Sequence, residues 1–116
     1  MIEKIEELKE AISGFFDTVE INTDTVLSRE NTAVIYVEGF KISFKTYHLK
    51  DIEQEVVIIF NVKSTAEEAL TKVDEKLDLL LDAIFEVFDQ VLNVDIKFSY
   101  VANRSLMFVQ FKFNAK

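Results

Sequence analysis

The stretch from Thr65 to Leu92 constrains this chain more than any other. Apolar residues recur there at three- and four-residue steps, and neither glycine nor proline interrupts them. The pattern predicts one helix, roughly 40 Å long at ~1.5 Å of rise per residue. Ser64 followed by Glu67 is a capping-box start, in which each side chain satisfies a free helix-end N–H. At ~100° per residue the apolar positions from Leu70 to Leu92 spread over roughly 160° of the circumference, more than the ~100° that one sheet needs. A stripe that wide must find extra cover. Either a first helix lies alongside it, or the margin Leu81, Phe85, Phe88 and Leu92 meets another subunit.

Strand patterns flank this helix. Phe40, Ile42 and Phe44 alternate with Lys41, Ser43 and Lys45, the period-2 signature of a half-buried strand. Residues 32–38 and 40–48 read as two strands, with Glu38-Gly39 as the turn of a hairpin. The near-continuous apolar run 55–63 predicts a central strand covered on both faces. After the helix, Val94, Ile96, Phe98 and Tyr100 alternate with Asp95, Lys97 and Ser99, and Met107, Val109, Phe111 and Phe113 alternate with Phe108, Gln110 and Lys112. Ala102 to Ser105 closes that second hairpin. At the start, Ile2, Ile5, Leu8 and Ile12 mark one face of a first helix over residues 2–13. Gly14 suits a left-handed position after its end, and Phe15 and Phe16 fold back beneath it. Residues 17–31 are polar and read as a loop with a short strand at Val19 to Ile21. The reading is a single α+β domain over residues 1–116, in the order α-β-β-β-α-β-β, with a mostly antiparallel sheet and two helices on one face. With only 2 glycines and no proline, its connections have to be built from Asn, Asp, Ser and Thr.

Little in the chain can do chemistry. It has no cysteine, which excludes disulfides, thiolate metal sites and Cys–His catalysis. His48 is the only histidine, and no serine sits in a nucleophile-elbow pattern. Gly14 and Gly39 lie too far apart to cradle a phosphate. The expectation is a protein that is not an enzyme and holds no cofactor and no metal. A net charge of −8 opposes a grip on nucleic acid or on an anionic membrane. No segment has the ~18 apolar residues of a membrane span, and the charged N-terminus is unlike a signal peptide.

The back of the long helix is the remaining informative surface. Glu75, Asp78, Asp82, Glu86 and Asp89 form a file of acids, offset only by Lys72 and Lys76. Leu79 stands among them with Ala83 nearby. A solvated face explains the acids, and a lone exposed leucine is ordinary. The sharper reading is a seam between subunits. There Leu79, Ala83, Asp78, Asp82 and Glu86 meet a basic sheet face carrying Lys41 and Lys45, with Lys63, Lys97 and Lys112 as further candidates. Contact of that kind between unlike surfaces closes into a ring.

An N-terminal helix, a polar loop, a strand pair, the segment EVVIIFNVKSTAEEA, a long helix and the hairpin DIKFSYVANRSLMFVQFKF follow one another across nearly the whole chain. This layout resembles the small tail-terminator and neck proteins of long-tailed phages and prophages. The resemblance implies a structural protein, present in the cytoplasm during assembly and then in the virion. It implies a homo-oligomer, usually a ring of six, that caps the tail tube and joins it to the head. It implies partners among other tail or connector proteins, touched by the loop at 17–31 through Asn22, Asp24 and Arg29. The alternative is a cytoplasmic α+β oligomer or adaptor that holds an apolar ligand between helix and sheet, lined by Phe44, Phe60, Phe85, Phe88, Phe98 and Phe111.

Overall fold

Period-2 alternation places five segments in one sheet. The computed structural model describes residues 2–21 and 30–116. The strands are β1 (Thr18–Ile21), β2 (Thr32–Phe44), β3 (Lys50–Lys63), β4 (Val91–Val101) and β5 (Leu106–Ala115), in the spatial order β1-β2-β3-β5-β4. Only β1 and β2 run parallel; the other pairings are antiparallel. Helices α1 (Ile2–Ile12) and α2 (Ala66–Val87) cover one face. This is the α+β order that the sequence predicts.

The core lies between that face and the helices. Ile35, Ile58 and Phe111 are cross-strand neighbours there, and all three are fully buried. From above, α1 adds Ile5, Leu8 and Ile12, while α2 adds Val73, Leu80, Ile84 and Val87. The aromatic rings meet edge to face, Phe88 on Phe113 at 5.6 Å and Phe111 on Phe113 at 5.9 Å, an arrangement that suits their quadrupoles. Strand β3 is central, as its apolar run predicts, and Val57 is fully buried although it points away from the helices. Its cross-strand neighbours Tyr36 and Lys112 flank it, and Lys112 is held by Glu38 at 2.7 Å. The long stem of Lys112 thus shields apolar surface while its ammonium stays paired.

Several local expectations fail, each for a physical reason. Glu38-Gly39 is not a turn. Strand β2 runs straight through it with a bulge between Val37 and Gly39, and pairing continues to Phe44 opposite Lys50. The turn lies further on, where Lys45 N donates to Leu49 O at 2.9 Å. The order of elements survives because β1 supplies the strand lost by merging two segments into β2. Gly14 lies in a 3-10 turn (Ser13–Phe15) with no left-handed φ, so the first helix tightens instead of ending in a glycine cap. Left-handed backbone occurs at Asn31, Asn93 and Ser105, the residue types that a glycine-poor chain must use.

Helix α2 is shorter than the pattern suggests. It ends at Val87; Phe88 is extended, and Val91 and Leu92 open β4. The apolar period continues across that boundary because Phe88 is still buried, now at the head of a strand connection. The capping box of Ser64 and Glu67 does not form. Thr65 takes the N-cap position without a side-chain bond, and the buried Ser64 Oγ has no hydrogen-bond partner. Ser64 is held instead through its backbone N–H, which donates to Ser105 O at 2.9 Å.

Lys76 leaves the acidic file that it was expected to offset. It reaches over the Phe16 ring, 4.7 Å from the centroid, and donates to Phe15 O and, at 3.2 Å, to Asn31 Oδ1. It therefore ties the start of β2 and the turn after α1 to α2. Burial pushes its ammonium below the usual lysine value of 10.5, with Asp17 pulling the other way. Lys76→Met should cost about 1–2 kcal/mol of stability by urea titration, from the lost ring contact and hydrogen bonds. The sign of the pH effect follows from the lowered value. Between the folded pKa and 10.5 the unfolded chain binds more protons, so this group makes stability rise with pH there. That alkaline slope should shrink in the variant; an unchanged slope would assign it to another group.

Candidate interaction surfaces

Two regions put large apolar side chains into solvent. The first is the far end of the β2–β3 hairpin. Strand β5 accompanies β3 only as far as Gln54, and beyond that β2 and β3 continue as a two-stranded arm. Every residue from Phe40 to Lys50 is exposed. The period-2 signature at Phe40, Ile42 and Phe44 is real, yet the half-burial it usually implies is absent: these residues are 49, 51 and 70 % exposed. Their cross-strand partners are Gln54, Ile52 and Lys50. This ladder continues the core side of the sheet past the point where the helices cover it. Tyr47 and His48 sit in the arm's turn, edge to face at 4.8 Å. Residues 40–50 carry Lys41, Lys45 and Lys50 and no acid, although Lys45 reaches Asp51 on the β3 limb at 3.5 Å.

The second region lies between α2 and β4. Strand β4 forms one edge of the sheet, and its helix-side residues are poorly covered. Phe98 is 49 % exposed and faces Leu70, itself 60 % exposed, across a groove of about 410 Å³. Val73 and Leu77 complete the groove, with Thr71 and Asp74 at its rim. Leu77, Leu81 and Phe85 then carry an apolar seam along α2 at steps of four. Asp74, Asp78 and Asp82 run beside that seam at the same spacing. Over its whole length α2 holds seven acids against two lysines.

The residues expected at a subunit seam are divided by this geometry. Leu79 is exposed at 43 %, as are Asp78, Asp82 and Glu86. Ala83 is not on the outer face: it is 5 % exposed and belongs to the core, because the margin of α2 next to Leu79 is covered by α1. The margin Leu81, Phe85, Phe88 and Leu92 also splits. Phe85 is exposed, Phe88 is buried, and Leu92 lies in β4. Lys41, Lys63, Lys97 and Lys112 share the sheet face away from the helices, but it is not purely basic, since Glu30 pairs with Lys63 and Glu38 with Lys112, each at 2.7 Å. Asn22, Asp24 and Arg29 lie outside the described residues.

The six phenylalanines proposed to line one ligand cavity do not converge. Phe60, Phe88 and Phe111 are packed core, whereas Phe44, Phe85 and Phe98 are surface residues at different places. Among the described residues no three His, Cys, Asp or Glu side chains group as a metal site, and no helix is long and apolar enough to cross a membrane. The sequence signal for the groove was the wide apolar stripe of α2. Nothing local marked the arm as unsupported, because a strand's cover is decided by its neighbours.

No protein-family model matches the chain, and no curated protein does. Among solved structures, one chain of a gene transfer agent particle, described as the virion of the native particle, is similar over 97 % of this chain and 89 % of that one. The identity is 8 % and the TM-score 0.45, a loose likeness of shape.

Proposed function

We propose that this chain is a non-enzymatic structural subunit that assembles with further copies of itself, in the manner of a phage tail terminator that rings the end of a tail tube. The observation that carries this reading is the pair of exposed apolar surfaces, on the arm and in the α2–β4 groove, at separate places on one small domain. Single exposed apolar residues are ordinary, whereas rows of them rimmed by charge mark interaction sites. A protomer with two unlike sticky surfaces builds head-to-tail contacts, and these close into a ring when the rotation allows. The alternative, an apolar ligand held between helix and sheet, would have to use the open α2–β4 groove, because Phe60, Phe88 and Phe111 beneath α2 are packed core.

Light scattering after size exclusion, over about a tenfold range of concentration, tests this reading. The expected result is a mass of several subunits, or a monomer that grows toward it as concentration rises. A strict monomer throughout would overturn self-assembly. Charge reversal of Asp78 and Asp82, beside the apolar seam, should weaken the oligomer, and the loss should be smaller at high salt because exposed charges are screened there. An unchanged mass would remove these acids from the contact.

A further inference from the structure

We infer that the arm of one copy, residues 40–52, seats its Phe40–Ile42–Phe44 ladder in the α2–β4 groove of a second copy. This rests on the self-assembly reading and names the two surfaces that meet. The first ground is the state of the arm itself. An isolated two-stranded ribbon is marginal in water, and among the described residues this one has no third strand beyond Gln54. It nonetheless keeps a regular antiparallel register to Phe44 opposite Lys50. On its β2 limb polar and apolar residues are sorted by face, Lys41 and Ser43 on one side and Phe40, Ile42 and Phe44 on the other, and the β3 limb adds Ile52 to the apolar side between Gln54 and Lys50. Sorting of that kind serves a strand pair with something to cover its apolar face, and among the described residues the chain does not supply it.

The second ground is complementarity. The groove offers a trough of Leu70, Leu77 and Phe98 over Val73, wide enough for aromatic side chains at about 410 Å³. Its rim is acidic through Asp74, with Asp78 and Asp82 continuing along α2, while the arm, residues 40–52, carries Lys41, Lys45 and Lys50 against the single acid Asp51, and Lys50 stands opposite Phe44 on the ladder's own face. Charge decides between the two ways in which copies could share the arm. Two arms face to face would bring like charges together. An arm on α2 brings opposite charges together, and charge complementarity steers both encounter and register. The arm is the end of the two longest strands, β2 and β3, of 13 and 14 residues, in a molecule 55 Å in one direction and 22 by 21 Å in the others.

The cysteine-free chain makes a direct test clean. Phe44→Cys and Leu70→Cys are made as separate proteins, mixed under mild oxidation, and the linked peptides identified by mass spectrometry. Both positions are exposed, at 70 and 60 %, so both variants fold. The expected product is the Phe44–Leu70 position link between two chains, at least about tenfold over a mixture in which Glu3→Cys replaces Leu70→Cys, because docking raises the effective concentration. Predominant linking of position 44 to itself, or no excess over the Glu3 control, overturns the arm-in-groove contact. If the unmodified chain is then still oligomeric by light scattering, self-assembly stands and the contact lies elsewhere. If the unmodified chain is monomeric at every concentration, both fall.

Discussion

Phe111→Ala should remove about 3–5 kcal/mol of folding stability, the range for truncating a buried phenylalanine. Phe111 is fully buried, packs edge to face on Phe113 at 5.9 Å, and stands between Ile58 on β3 and Ile96 on β4. The cavity would open at the middle of the sheet, where strands on both sides prevent collapse. A domain of this kind has only ~5–15 kcal/mol to lose, so the variant should be close to unfolding. A urea titration reads this as a fall in midpoint at an unchanged slope. Phe44→Ala, the same chemical change on the exposed arm, should stay within about 0.5 kcal/mol when measured on the monomer. A loss below about 1 kcal/mol at Phe111 would mean that this core is not packed as described.

The double variant Ile42→Asp, Phe44→Asp should have the opposite profile, with folding nearly untouched and assembly abolished. Both side chains are at least half exposed, so replacing them costs the monomer little. In the assembled state they would leave water, and burial of each such side chain contributes about 1.5–3 kcal/mol. Two together amount to on the order of a hundredfold or more in association constant. Aspartate also places negative charge against the acidic margin of α2. The matching lysine variant separates the two causes. It loses the same apolar contact but keeps the favourable charge, so its defect should be smaller and should grow with salt. The readouts are thermal melting for the fold and light scattering for mass. Wild-type assembly in the aspartate variant would remove the arm from the contact.

Most of the architecture is legible because it rests on local pattern. The alternation of Val94 to Tyr100 and Met107 to Phe113 is satisfied as one hairpin, and the run 55–63 lies at the sheet's centre. Pattern does not say where regular structure stops. Glu38-Gly39 reads as a turn but becomes a bulge, because β3 remains available to pair with β2 beyond it. The period of α2 runs on to Leu92 while the helix ends at Val87, since a buried residue such as Phe88 satisfies a helix stripe and a strand start equally well. For the candidate surfaces, the sequence marks the stripe of α2 as too wide without saying which margin stays open. Ala83 and Phe85 lie two residues apart, yet the first is buried in the core and the second is 61 % exposed.

By itself, then, the sequence determined the fold class, the element order and the central strand, because residue type and periodicity act locally. Only the tertiary structure decided that the Phe40–Phe44 ladder is bare, that Lys76 turns inward and that the free margin of α2 faces β4. Those outcomes depend on which elements lie beside one another, and exposure belongs to neighbours rather than to the residue.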